Sequence, residues 1–164
     1  MSAKGDTALA LRELDTLSER WRAAWVGEAA FAECTTPDVS YEDPFTRGPV
    51  QGPDAIEKQA SRLRTVLPDL TITSTAEPLE RNGQACFPWR VDGTHLGEYG
   101  PLPPTEKALS LHGLHYVELT DGVVRRARGF FDLYDGATQL GLLPQRGGLG
   151  ETALFVLRGF GLRR

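Results

Sequence analysis

The chain is short of the residues that covalent, redox and metal chemistry usually draw on. It has two cysteines, three histidines and one methionine in 164 residues. Cys34 and Cys86 are too few for a disulfide framework and read as buried free thiols of a reducing compartment. There is no Cys-x-x-Cys and no His-Glu-x-x-His. His112 and His115 stand three apart on a predicted strand, so they face opposite sides, and no metal site is expected. Neither a P-loop nor a Gly-x-Gly-x-x-Gly fingerprint occurs, which removes the usual nucleotide sites; no cofactor is expected. The net charge of -4 disfavours a general nucleic-acid surface. No apolar run reaches the ~20 residues a bilayer span needs, and Met1 to Asp6 lead into no signal-like segment. These readings predict a cytoplasmic protein with no nucleic-acid or membrane partner.

What is present is an ordinary globular composition, 40% hydrophobic and 24% charged, long enough for one domain with a real core. Leu14, Leu17, Trp21, Ala24 and Trp25 recur at spacings of three and four and predict an amphipathic helix stopped by Gly27. A short helix over 28–34, a loop at Thr35-Thr36-Pro37 and a short strand over 39–42 follow. Pro53 and Asp54 suit the first turn of a further helix reaching about Leu67. The second half reads as strands over 70–75, 84–96, 109–119 and 123–132. Asn82-Gly83 and Asp121-Gly122 mark hairpins. A short helix over 133–140 closes the pattern. Helices first and a strand meander after predict an α+β fold: one curved antiparallel sheet wrapped around helices, a cone-shaped α+β barrel with an apolar interior. The cone domain spans 1–146, and 147–164 is a C-terminal helical extension, either docked or serving as a lid.

Three charges stand out. Arg90 and Asp92 are two apart on a strand and share a face. Asp132 ends the apolar run Gly129-Phe130-Phe131. If all three face the cone, one Arg organises two carboxyls, and such a set splits into an acid and a base. The plain alternatives are an ion pair on a solvated sheet face for Arg90 and Asp92, and a helix N-cap for Asp132. Tyr41 and Asp43 form another two-apart pair, able to hold a substrate or a water; alternatively Tyr41 belongs to the core and Asp43 to an Asp-Pro turn. His95, with one of His112 and His115 facing inward, adds polar groups. Trp89 and Phe130 would wall the substrate. Arg125, Arg126 and Arg128 read as a solvated strand face.

The run Trp89 through Gly93-Thr94-His95-Leu96-Gly97-Glu98-Tyr99-Gly100, then Pro104-Thr105, resembles the SnoaL-like polyketide cyclases. So does Asp132 followed by Gln139-Leu140-Gly141-Leu142-Leu143-Pro144. These cyclases belong to the superfamily of nuclear transport factor 2 and ketosteroid isomerase. The likeness covers roughly 10–144 and implies the cone fold and a homodimer. It also implies a cofactor-free acid–base enzyme of secondary metabolism, closing a ring or shifting a double bond in an apolar, polyketide-like molecule. Arg90-Val91-Asp92 and Phe130-Phe131-Asp132-Leu133 are also similar to limonene epoxide hydrolase, which implies epoxide opening instead. Tyr41 matches that enzyme's Tyr-x-Asn pair, whereas Asp43 replaces the Asn. Both likenesses imply Asp132 as the proton-transfer residue; they differ on Asp92, which with Arg90 is needed by the epoxide hydrolase pattern and not by the cyclases. Outside catalysis, the alternative is a small-ligand binding module.

Overall fold

The computed structural model describes residues 3–158, with side chains from residue 12 onward. Helix α1 (Ala3–Val26) buries Leu14, Leu17, Trp21, Ala24 and Trp25, the face its spacing predicts. It ends at Gly27, whose φ of 84° suits a glycine stop. The predicted second helix is corrected to a single 3-10 turn, Phe31–Glu33. Phe31 packs edge-on to Trp21 and Trp25 there, at 5.3 and 5.4 Å between ring centroids. The predicted loop at Thr35-Pro37 belongs instead to strand β1 (Thr35–Glu42). Pairing is irregular between Thr35 and Ser40, and such irregularity is what accommodates Pro37 inside a strand.

Strand β2 (Val50–Gln51) leads into α2 (Pro53–Val66), which starts with proline and buries Ile56 and Ala60. Strands β3 (Thr71–Ser74), β4 (Leu79–Arg81), β5 (Gln84–Thr94), β6 (Ala108–Thr120) and β7 (Val123–Phe131) follow. The chain then forms α3 (Leu133–Gln139) and α4 (Leu149–Leu157). The two hairpin signals act as read. Asn82-Gly83 and Asp121-Gly122 all take positive φ, as a two-residue primed turn requires.

The strands form one curved, unclosed sheet in the order β2-β1-β7-β6-β5-β3, with β4 also on β5. It is antiparallel except that β1 runs parallel to β7. A hairpin can only join antiparallel neighbours, whereas β1 reaches the sheet from the helical segment. The helices and the concave face enclose the core. On β5 the pleat is plain: Ala85, Phe87, Trp89 and Val91 are buried, and Arg90 between them is exposed.

The α4 helix buries no residue. It is tied to the domain by Tyr134, whose hydroxyl donates to the Pro144 carbonyl at 3.0 Å and lies 3.4 Å from Glu151 Oε1. Among the described residues, no helix is long and apolar enough to cross a membrane.

Gly113 is needed for packing. A Cβ there would stand 2.4 Å from the six-membered ring of Trp89. The Trp89 indole therefore lies over a bare backbone. Gly113→Ala is expected to destabilise the fold by about 1–3 kcal/mol, the usual cost of overpacking. Urea denaturation followed by tryptophan fluorescence measures it.

Candidate active site

Inside the cone lies a cavity of about 700 Å³. Its aromatic end is walled by Trp21, Trp25, Tyr41, Phe87, Trp89 and Phe131. At its mouth Phe45, in the loop after β1, packs against Tyr99 at 5.5 Å and Phe131 at 5.2 Å. The opposite rim carries the exposed Glu19, Arg62 and Ser74.

The polar groups of the aromatic end come from three elements. Tyr41 and Asp43 leave β1 on the same side. The buried Tyr41 hydroxyl donates to Asp43 Oδ2 at 2.8 Å. Asp43 Oδ1 accepts the amides of Phe45 and Thr46 at 2.8 and 2.9 Å, so an Asp-Pro turn fixes the carboxylate. A carboxylate offers about four lone-pair sites, and these three donors leave one open. Burial, then the charge of Asp43, then its hydrogen bond push the Tyr41 phenol well above its ordinary range. It stays protonated and acts as an orienting donor.

His115 comes from β6. Trp21 Nε1 donates to His115 Nδ1 at 3.2 Å. An indole can only donate, so Nδ1 is the acceptor and the proton of the neutral ring sits on Nε2. The Trp25 indole stacks on the imidazole, 5.6 Å between centroids and 12° from parallel. Burial pushes the His115 pKa down to about 3, so the ring is neutral at ordinary pH.

Gly129 on β7 pairs with His115 and makes room for this cluster. A Cβ placed on it would stand 3.0 Å from Tyr41 Oη, 3.1 Å from Asp43 Cβ and 3.5 Å from His115 Cδ2. Three side chains thus converge over one bare backbone position.

His95 lines the cavity beyond β5. Its Nδ1 accepts the Thr105 amide at 3.1 Å and lies 3.0 Å from the Thr105 hydroxyl. Among the described residues its Nε2 is buried without a protein partner, as are Trp25 Nε1 and Trp89 Nε1.

The expected trio does not meet in the cavity. Arg90 and Asp92 lie on the opposite face of β5, where Arg90 Nε donates to Asp92 Oδ2 at 2.7 Å. Ser110 Oγ donates to Asp92 Oδ1 at 2.7 Å, and this bond and then Arg90 hold the Asp92 carboxyl below its usual range. The pleat is the cause: Trp89 and Val91 take the inner face, so their neighbours cannot. Asp132 is the N-cap of α3. Its Oδ1 accepts the Asp135 amide at 2.9 Å, and Oδ2 meets Arg146 at 3.2 Å. The capping bond and then Arg146 keep its carboxyl ionised below the usual range. His112 and Phe130 are likewise exposed on the outer face, Phe130 beneath Arg128. Of the residues read from the sequence, Tyr41, Asp43, Trp89, His95 and His115 line the cavity. Arg125, Arg126 and Arg128 pair with Glu118 and Glu42 on the solvated face.

The sequence reading left Trp21 and Trp25 as core and gave Phe45, Phe131 and Gly129 no role. An i, i+4 tryptophan pair on an apolar helix face looks like packing until the partner strand is known.

The sequence model of the SnoaL-like polyketide cyclases matches residues 12–140. The chain belongs to this family. Solved structures agree on the cyclase-family fold. AclR from Streptomyces galilaeus is 20% identical with a TM-score of 0.69, covering 91% of this chain and 94% of its own. TsrD from Streptomyces laurentii is 18% identical with a TM-score of 0.70, covering 80% and 97%. An LEH-like epoxide hydrolase from M. tuberculosis is 17% identical with a TM-score of 0.58, covering 89% and 97%. No curated protein matches this cyclase-family chain in sequence.

Burying a neutral His115 makes stability depend on pH. Its folded pKa of about 3 lies below the ordinary 6.5, so the unfolded state takes the proton first as pH falls. The stability is fully present above pH 6.5 and falls as pH drops toward 3, by up to about 1.4 kcal/mol per unit. Denaturation between pH 7 and 5 should show this slope in the wild type, and His115→Gln should flatten it.

Proposed function

We propose that this chain is a cofactor-free proton-transfer enzyme, a ring-closing cyclase or isomerase, acting on an apolar polyketide-like molecule in the cone. Asp43 is its general base. The observation that carries this is the Asp43 carboxylate, fixed by Tyr41 and two amides at the aromatic end of the cavity. Membership of the cyclase family supports the reaction class.

In this reading Asp43 takes a proton from a carbon next to a carbonyl. The C–H electron pair moves into an enolate. For isomerisation, Asp43 returns the proton to another carbon of the conjugated system. For ring closure, the enolate carbon forms a C–C bond to a second carbonyl carbon, and that oxygen receives the proton from Asp43. No oxidant or reductant is consumed. The aromatic walls hold the substrate folded, which supplies orientation.

Epoxide opening ranks second. The likeness to the epoxide hydrolase favours it, but its Asp-Arg-Asp set would need Arg90, Asp92 and Asp132 in the cavity. Arg90 and Asp92 instead pair on the outer face, and Asp132 caps α3.

Deuterium exchange at the benzylic α-carbon of 2-tetralone, followed by NMR, tests the base. General-base help is typically worth 10²–10⁴-fold. Asp43→Asn should remove protein-dependent exchange on about that scale, while Asp92→Asn and Asp132→Asn keep it within about threefold. Loss in Asp132→Asn with retention in Asp43→Asn would overturn the assignment.

A further inference from the structure

We infer that His115 Nε2–H is the hydrogen-bond donor that receives the substrate's carbonyl oxygen, acting as a neutral imidazole beside the Asp43 base. The inference rests on the proposed proton-transfer reading and adds a catalytic residue to it.

Three observations carry it. The Trp21 indole donates to His115 Nδ1 at 3.2 Å, which leaves Nε2 as the protonated nitrogen. The flat Trp25 ring on one face and the Trp21 edge hold the imidazole plane. His115 lines the cavity. Gly129 supplies the proximity: Asp43 Cβ and His115 Cδ2, the carbon bonded to Nε2, both lie within 3.5 Å of one point above it. The two side chains therefore stand no more than about 7 Å apart at those carbon atoms. That gap suits a C–H on one side of a substrate and its C=O on the other.

The chemistry is directional. As Asp43 removes the proton, negative charge gathers on the carbonyl oxygen. The fixed N–H stabilises that charge without giving up its proton, as a preorganised donor does. A charged imidazolium would instead form an ion pair with Asp43 and quench the base. The tryptophan cap and the burial both keep the ring neutral.

The consequence for the substrate is that its acidic carbon is adjacent to a carbonyl that enters the aromatic end of the cone. The planar phenol 2-naphthol mimics the enol of 2-tetralone, and naphthalene lacks the oxygen. In ¹⁵N-labelled protein the three histidines separate readily. Free His115 should show the Nε2–H tautomer, and saturation with 2-naphthol should move that proton downfield while naphthalene does not. By calorimetry, His115→Phe should lower the 2-naphthol to naphthalene affinity ratio about two- to tenfold, one hydrogen bond's worth. His115→Gln, whose amide reaches the same position, should recover part of it. An Nδ1–H or charged ring, or an Nε2–H signal that 2-naphthol leaves unmoved, overturns the inference, and that measurement needs no variant. Asp43→Asn reports separately: it abolishes tetralone exchange if the base is right, and the His115 signal still tests the donor.

Discussion

The hydrogen bond from Trp21 to His115 joins the first helix to the middle of the sheet across 94 residues of sequence. It satisfies one of the two indole donors that α1 brings into the core and fixes one tautomer of a buried imidazole. Both groups would otherwise be costly to bury, since an unpaired donor or acceptor loses its water without compensation. Trp25, Phe31 and Tyr41 pack around the same pair. Helix position, sheet position and the aromatic end of the cavity therefore depend on a single contact. An apolar pair there would pack as well but would give the cone no polar group of defined direction.

Glycine does complementary work on the strands facing this contact. Gly113 and Gly129 sit on adjacent strands with their inner faces bare. One admits the Trp89 ring against the backbone, and the other admits Tyr41, Asp43 and His115 to a common point. Large aromatics and a carboxylate can converge in a small cone only if some strand positions give up their side chains. Such glycines are set by the close approach of neighbours and have ordinary strand dihedrals, so no turn signal marks them in the sequence.

The fold was legible because its signals are local: the apolar period of α1, the proline at the start of α2, and two positive-φ hairpins. The cavity wall was legible in part. The sequence offers Trp89 as a wall and one of His112 and His115 as inward-facing without deciding which, and Tyr41 with Asp43 follow from their two-residue spacing. What misled was parity. Arg90 and Asp92 share a face with each other, and the sequence argument that paired them was sound. Which face was decided by Trp89 and Val91, whose burial outweighs anything two charges gain from a pocket. Asp132 shows the same limit in another form. A carboxyl between a strand of aromatics and a helix has a cheap local use as an N-cap, and the Asp135 amide took it. Both plain alternatives hold, and the likeness to epoxide hydrolase motifs did not predict where the side chains point.

The proposed base is instead Asp43, which the sequence offers either as half of a Tyr41–Asp43 pair or as part of an Asp-Pro turn. That turn explains how a loop can hold a group in a fixed place. Oδ1 is occupied by two amides of its own loop, and Oδ2 by a tyrosine anchored in the core. The loop cannot move without breaking those bonds, and the same loop places Phe45 at the mouth against Tyr99 and Phe131. The position of Phe45 and the orientation of the carboxylate are thereby linked through two residues of chain. The turn geometry at Asp43 thus restrains the placement of Phe45 and the orientation of the carboxylate together.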